Sequence, residues 1–548
     1  MIIGIDVGGT HTDGVLLERG KIIAKNKVGV DHDNLGESII TLLESLLPED
    51  RSRLQRIHLS TTLCTNALVN NTLDDVGMFI QAGPGMNPDF LQCGDSMYFL
   101  SGAVDHRGQV VRQPELAEIK AAAAEMKAKN IASVGIVTKF SHRNNEHELL
   151  VRDQLGASFT HISMGHLLSG NPNFPRRVYT TWLNSALKSK FHQFKDAMEE
   201  GFTQLGVNCP IYILKADGGT MPFKKGCEHP CQSIHSGPSA SVMGALALEE
   251  DIDDCVMLDI GGTTTDIALF SQGVPLLEPY GATVGGRPTL IRALLTKSIG
   301  LGGDSSVSYE NDRFVIGPEK KGPPMAFGGK IPTPTDAMVV LGSIADGSEE
   351  KAAKAMLLLR PEQKPEETAA ALLDRFADKV AENVEELIDE VFSRPVYTVS
   401  AFLDRQKLSP KKLIVIGGPA DALHNFLEDR FELECRVPHD YEVANAIGSA
   451  RARLTAQVSL YADTGLGRLS IPEMSIMEKP GRMFTMMEAE VRLKEALRDM
   501  VDSMGDDSSA EIDMIEKVEM NTVRGFSSTG KIISLKAQIR PGISPVGV

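Results

Sequence analysis

The chain has 548 residues, 42% of them hydrophobic and 24% charged, the make-up of a globular protein long enough for three or four domains of about 150 residues. Lys and Arg number 56 against 73 Asp and Glu, a net charge of −17. That field repels nucleic acid and anionic lipid, so neither is an expected partner. Glycine is mildly enriched, with 50 residues or about 9% against an average near 7%.

The chain opens on an apolar run over 1–7 that ends in Gly-Gly and resumes over 15–17, the pattern of a strand, a tight turn and a returning strand. Asp6 interrupts that run and no cleavage site follows, so a signal peptide is not expected. No later run approaches the ~20 apolar residues of a membrane span, and a cytoplasmic protein is expected. The spacing predicts helices over 115–130 and 146–155 alternating with strands over 131–140 and 158–163. A helix over 184–205 and a strand over 211–214 follow. This alternation is the signature of an α/β layer architecture.

A second α/β block opens at the apolar run 255–258. It contains a Gly/Pro-rich loop over 317–334 and a long helix over 366–392, with Leu373, Phe376, Val380, Val384, Leu387 and Val391 on one stripe. A strand over 413–416 and a helix over 442–456 close it. The last ~90 residues combine a charged helix over 487–504, an acidic turn over 505–509 and strand-like runs. The divisions expected are 1–248, 249–456 and 457–548.

Seven cysteines (Cys64, Cys93, Cys209, Cys227, Cys231, Cys255 and Cys435) are scattered and odd in number, as reduced thiols are. Cys227 and Cys231 flank His229 without the two further ligands a zinc site needs. His142 and His147 lack a Glu at metal-site spacing and read as surface histidines. The stretch 525–532, GFSSTGKI, resembles a P-loop but has Ile532 where Ser or Thr must bind Mg2+, so it reads as a hairpin turn. No G-x-S-x-G elbow occurs, and the sequence offers no support for serine-hydrolase chemistry.

One internal repeat carries chemistry. Residues 6–13 read DVGGTHTD and residues 259–266 read DIGGTTTD. Each follows an apolar strand and leads into another. Each therefore places Asp6 or Asp259 at a strand end, Gly8-Gly9 or Gly261-Gly262 on the turn, and Asp13 or Asp266 on the return. Glycines let backbone N–H groups approach phosphate, and Thr10, Thr12, Thr263 and Thr264 add hydroxyl donors. An Asp beside phosphate needs a divalent cation between them, since like charges at 4 Å repel by roughly 4 kcal/mol at an effective dielectric near 20. Asp6 and Asp259 facing each other across a cleft thus imply Mg2+, and Asp13 or Asp266 is placed to orient a nucleophile.

The two octapeptides resemble the phosphate loops of the superfamily that includes actin, sugar kinases and heat-shock chaperone ATPases. That resemblance predicts further motifs in order, and all are present. SGPSASVMGALAL (236–248) and VANAIGSA (443–450) resemble its connecting helices, whose small residues permit a close crossing. IVIGGPA (414–420) resembles its adenosine motif, with Gly417 and Gly418 against the nucleoside. The fold class so implied is α/β, two duplicated ribonuclease-H-like domains with an interdomain ATP cleft, plus a small C-terminal α+β appendage.

Further segments resemble the hydantoinase/oxoprolinase family over roughly 2–456: STTLCTNAL (60–68), ADGG (216–219), HSGPSAS (235–241), SIGLGGDSS (298–306) and TPTDA (333–337). The resemblance implies ATP-dependent opening of a cyclic amide such as a hydantoin or 5-oxoproline, with Mg2+, by phosphorylation of the amide oxygen. Alternatives within reach are the ATP-using subunit of a ketone carboxylase, a small-molecule kinase, and a non-enzymatic nucleotide-switched activator. It also implies a separate hydantoinase-B-like subunit and a homo- or hetero-oligomer. Gly302 and Gly303 lie in a family-like loop that departs from the pattern at Asp304, and TPTDA departs at Pro334. Acceptor-site candidates in the family-like loops are Asn66, Asp217, His235, Arg287 and Asp336. Arg287 suits a substrate carboxylate bidentately.

Overall fold

The computed structural model describes residues 1–9, 11–30, 35–393, 408–505 and 511–544. Thr10 and the expected acidic turn beyond Gly505 lie outside the described residues. Packing divides the chain into two compact units. One comprises Met1–Gly237, Glu278–Ala293 and Ala452–Val548, and the other Pro238–Leu277 and Leu294–Arg451. The segment Glu278–Ala293 thus returns to the first unit, and the C-terminal region packs there as well.

In the first unit a six-stranded sheet runs in the order Thr220–Pro222, Ile211–Leu214, Arg56–Thr61, Ile2–Val7, His11–Glu18, Lys21–Gly29. Ile2–Val7 is central, antiparallel to His11–Glu18 and parallel to Arg56–Thr61. A strand covered on both faces reads as a continuous apolar run, which is why IIGIDV carries so little polarity. Lys21–Gly29 lies at the edge, where Lys21, Lys25 and Lys27 are exposed and discourage edge-to-edge pairing.

A four-stranded parallel sheet follows in the order His161–Met164, Ser133–Thr138, Val76–Gln81, Ser96–Phe99. The helix expected from 184 begins at Phe174 and runs to Gln204. Asn173 caps it by accepting a hydrogen bond from the N–H of Arg176, and Pro175 occupies its first turn. His142 and His147 are buried rather than on the surface. Polar neighbours hold them there: Nδ1 of His147 lies 2.7 Å from Oε1 of Gln81. The C-terminal strands form a five-stranded antiparallel sheet with helix Met486–Ser503 packed on it. Its long hairpin Ile512–Arg524 and Ser527–Ile539 turns at Gly525, the hairpin turn expected of GFSSTGKI.

The second unit repeats the theme. Cys255–Ile260 is antiparallel to Thr265–Ser271 and parallel to Lys412–Ile416, matching the pairing around Ile2–Val7. Helix Pro365–Ser393 buries Leu373, Phe376, Val380, Val384 and Leu387 against this sheet's core. The helix expected over 442–456 is shorter, Ala444–Arg451, because the chain beyond it joins the first unit. Among the described residues no helix is long and apolar enough to cross a membrane.

Helices Ser236–Leu248 and Ala444–Arg451 cross at glycines. A Cβ on Gly448 would stand 2.2 Å from the carbonyl oxygen of Ala240 and 2.3 Å from the nitrogen of Gly244. Both obstacles are backbone, so nothing can rotate aside. Gly448→Ala is expected to cost about 1–3 kcal/mol by overpacking, read as a lowered midpoint in denaturant unfolding. Unchanged stability would contradict this crossing.

Candidate active site

Each unit ends its central strand with a carboxylate facing another. In the first, Asp6 is the register partner of Asp13, and in the second Asp259 is the partner of Asp266. Both turns close alike: the N–H of Gly8 donates to the carbonyl of His11 at 3.0 Å, and that of Gly261 to Thr264 at 2.9 Å. A methyl group on Gly9 would meet open space within 4 Å, so its backbone is approachable. Thr12 is fully buried and its hydroxyl oxygen has no hydrogen-bond partner among the described residues. Asp13 pairs with Lys27 at 3.1 Å.

The second unit gathers most of the expected glycines around Asp259. The N–H groups of Gly303 and Asp304 donate to the carbonyls of Gly261 (3.0 Å) and Gly262 (2.7 Å). A Cβ on Gly302 would strike the backbone of Gly262 and Thr263 at 2.6 Å. Gly417, at φ 91°, abuts Asp259 so closely that a Cβ would lie 2.7 Å from its Oδ1. Gly418 faces open space. Both connecting helices reach the same carboxylate: Ser241 Oγ donates to Asp259 Oδ2 at 2.5 Å, and Asn445 Nδ2 at 3.4 Å. Ser241 and Asn445 were not singled out in the sequence, although both lie inside motifs recognised there.

Burial raises the Asp259 carboxyl, opposed by the hydrogen bonds from Ser241 and Asn445. Burial, and then the charge of Asp259, pushes Asp266 up to about 7 against a hydrogen bond from Ser298. Oδ1 of Asp266 is buried without a hydrogen-bond partner among the described residues. Two adjacent half-buried carboxylates with an unfilled acceptor fit a divalent cation, which would offset both penalties. Among the described residues no group of three or more His, Cys, Asp or Glu could hold a metal. A cation here would therefore draw its remaining oxygens from phosphate and water, as Mg2+ commonly does.

The departures from the family pattern also find physical reasons. Asp304 lies against Gly262 and is held by Lys320 at 2.7 Å and by the Thr335 hydroxyl at 3.1 Å. Its charge is thus offset at the loop. Pro334 occupies the first turn of helix Pro334–Val340 after the N-cap Thr333, a position where proline's missing N–H costs nothing.

Three of the acceptor candidates lie on or beside elements that meet helix Leu63–Val69. Asn66 lies on helix Leu63–Val69, and the backbone N–H of His235 donates to Thr65 Oγ1 at 3.3 Å. Burial lowers the imidazole of His235. Arg287 is exposed, stacks over the Tyr179 ring at 5.4 Å and donates to the carbonyl of Gln92 at 2.5 Å. Its hairpin approaches both Leu68 and Tyr179 at Gly285. Asp336 is apart from these, fully buried in the second unit. Its oxygens accept from the N–H groups of Met325, Ala326 and Thr333 and from the Thr333 hydroxyl, closing a capping box. That work is structural and leaves the carboxylate little to offer a substrate.

Asp217 is also buried, within an ion cluster at the wall of a cavity of about 380 Å³. Arg292 Nη1 lies 3.1 Å from it, Lys215 Nζ 3.5 Å, the Thr455 hydroxyl 2.9 Å and the N–H of Gly219 3.0 Å. Burial opposes its ionisation, yet Lys215, Arg292 and these hydrogen bonds outweigh it and hold the carboxyl below its usual range. Lys215, Arg292 and Thr455 carried no sequence signal, because they meet Asp217 only through the tertiary fold. Asp217→Ala leaves buried Lys215 and half-buried Arg292 without their anion and is expected to cost about 3–5 kcal/mol in denaturant unfolding. A loss under about 1 kcal/mol, the scale of an exposed pair, would contradict a buried cluster.

The fold, two α/β sheets each with a hairpin at its centre, has solved counterparts. The solved ATP-dependent caprolactamase from Pseudomonas jessenii superposes with a TM-score of 0.73 at 17% identity, covering 100% of this chain and 88% of that one. In sequence the chain is 24% identical to the alpha subunit of caprolactamase from Pseudomonas jessenii, over 63% of this chain and 55% of the relative. It is also 24% identical to the acetone carboxylase beta subunit of Xanthobacter autotrophicus, over 59% of this chain and 50% of the relative. The matched stretch spans about half the length of these curated relatives. The hydantoinase/oxoprolinase N-terminal region matches residues 2–158, and the hydantoinase/oxoprolinase family proper matches residues 177–458. The chain belongs to the hydantoinase/oxoprolinase family.

Proposed function

We propose that this chain is an ATP-dependent cyclic-amide hydrolase, or the ATP-using subunit of one, activating the ring by phosphorylating its amide oxygen. The observation that carries the reading is the paired Asp–Gly-Gly–Asp hairpins, one per unit, in a chain of this family. An amide is a poor electrophile through resonance; O-phosphorylation removes the resonance and creates a leaving group. Backbone N–H groups at Gly8, Gly9, Gly261, Gly262, Gly302 and Gly303 would receive the phosphates, and Gly417 and Gly418 the nucleoside. Asp6 and Asp259 would hold Mg2+, which neutralises phosphate charge when bound. Asp13 or Asp266 would orient the attacking oxygen, and Asn66, His235 and Arg287 would contact the ring compound. A separate hydantoinase-B-like subunit would complete the hydrolysis.

The test combines Mg2+-ATP with hydantoins, 5-oxoproline, caprolactam and ketones, alone and with a co-encoded partner subunit. Stimulation of ATP turnover by a cyclic amide is the expected outcome; indifference to every compound overturns the proposal. A second reading, the ATP-using subunit of a ketone carboxylase, is favoured by the likeness to acetone carboxylase. Stimulation by a ketone only in the presence of bicarbonate would select it.

Under either reading, Asp6→Asn and Asp259→Asn should each lower Mg2+-dependent ATP turnover by roughly 10²-fold or more while folding normally, since each removes a preorganised charge. Retained turnover in both variants would refute the assignment of these carboxylates.

A further inference from the structure

Away from the glycine hairpins, the first unit brings together a serine, a histidine and a glutamate from distant parts of the chain. Ser475 closes the turn between strands Arg468–Ile471 and Ile476–Glu478. His166 lies in the short helix after strand His161–Met164, and Glu148 on helix Glu146–Leu155. Ser475 Oγ is 2.7 Å from His166 Nε2, and His166 Nδ1 is 2.5 Å from Glu148 Oε2. We propose that Ser475, His166 and Glu148 act as nucleophile, general base and orienting carboxylate in the hydrolysis of small carboxylic esters, an activity independent of ATP.

The arrangement is built as such a relay requires: a nucleophile hydrogen-bonded to a base that a third group orients. The side chains of His166 and Glu148 are fully buried. Burial would raise the Glu148 carboxyl, but His166, together with the N–H groups of His166 and Thr138, outweighs that and holds it below the usual range. Glu148 takes the N–H of Thr138 at 2.9 Å on Oε1 and that of His166 at 3.0 Å on Oε2. One carboxylate thus fixes both the backbone and the ring of His166. An ionised Glu148 can only accept, so it takes the Nδ1–H of His166 and leaves Nε2 to face the serine hydroxyl.

Ser475 itself is exposed, and its backbone sits at φ 54°. A non-glycine residue pays for that conformation, and such residues concentrate at functional sites. A fully buried carboxylate and imidazole are a costly support for an exposed hydroxyl whose hydrogen bond alone is worth about 1 kcal/mol. Space for a substrate adjoins the relay: Leu167, Leu168 and Ser169 after the histidine, and Glu473 and Met474 before the serine, line the cavity of about 380 Å³.

In the step proposed, Ser475 Oγ bonds to the ester carbonyl carbon as its proton passes to His166 Nε2. The carbon–alkoxide bond then breaks, and the leaving alcohol takes that proton. Water attacks the acyl-serine, delivers a proton to Nε2, and Oγ leaves and recovers it. The sum is ester plus water to acid plus alcohol. The relay lacks the G-x-S-x-G elbow because its serine ends a β-turn rather than a strand-to-helix turn, so the sequence held no sign of it.

The test treats the full chain with diisopropyl fluorophosphate, which forms an Oγ–P bond and releases fluoride, and maps the adduct by peptide mass spectrometry. The expected result is an adduct on Ser475, with hydrolysis of 4-nitrophenyl acetate lost on labelling and reduced roughly 10²-fold in Ser475→Ala. An unlabelled Ser475, or esterase activity unchanged in Ser475→Ala, would overturn the proposal. Ser475→Ala removes only an exposed hydroxyl, so its thermal unfolding and ATP turnover should match the parent. His166→Gln, if folded, should leave Ser475 unlabelled; labelling at the parent rate would show a merely exposed serine and also overturn the relay. Neither result bears on the ATP reading, whose residues are separate.

Discussion

The second unit is organised around one half-buried carboxylate. Asp259 ends the central strand of its sheet, where the surrounding chain removes much of its contact with water. Its side-chain hydrogen bonds answer that problem. A serine from one connecting helix and an asparagine from another donate to Oδ2, and Gly417 brings backbone within a distance no side chain allows. The glycine crossing at Gly448 lets those two helices approach each other. Asp266, opposite in register, adds a second negative charge rather than relieving the first. A site in which burial and like charge both oppose ionisation holds electrostatic energy that a cation and phosphate can release.

The two hairpins are alike in covalent pattern but differ in electrostatic setting. Asp13 has Lys27 beside it on the next strand, whereas Asp266 has Asp259 and the Ser298 hydroxyl. Duplication therefore preserved the backbone device while the neighbouring strands gave each copy a different charge balance. The Asp304–Lys320 pair works in the same way, placing an added carboxylate at the glycine loop together with its counter-ion.

Much of the fold was legible before any coordinates. Central strands such as 2–7 and 255–260 announce themselves because both faces are covered, so apolar residues run unbroken. The long helix of the second unit shows its stripe because one face only is buried. Elements were misjudged where the signal was chemical rather than periodic. The helix from Phe174 begins with Pro, Arg and Arg, which hide its start from an apolar pattern, and His142 and His147 are polar residues buried by partners distant in sequence. The packing of the C-terminal sheet within the first unit could not be read, since it depends on side-chain contacts across hundreds of residues, such as Arg107 with Asp463.

For the candidate sites the division is similar. The amino-acid sequence determined the repeated Asp–Gly-Gly–Asp turns, their order with the small-residue helices, and membership of the family. These are local patterns in which spacing alone states the geometry. Only the tertiary structure decided what each polar side chain does: that Asp336 caps a helix, that Asp217 anchors Lys215 and Arg292, and that Ser475 meets His166 and Glu148. Those roles depend on partners brought together by burial, and a buried polar group is defined by the neighbours that satisfy it, which no linear spacing records.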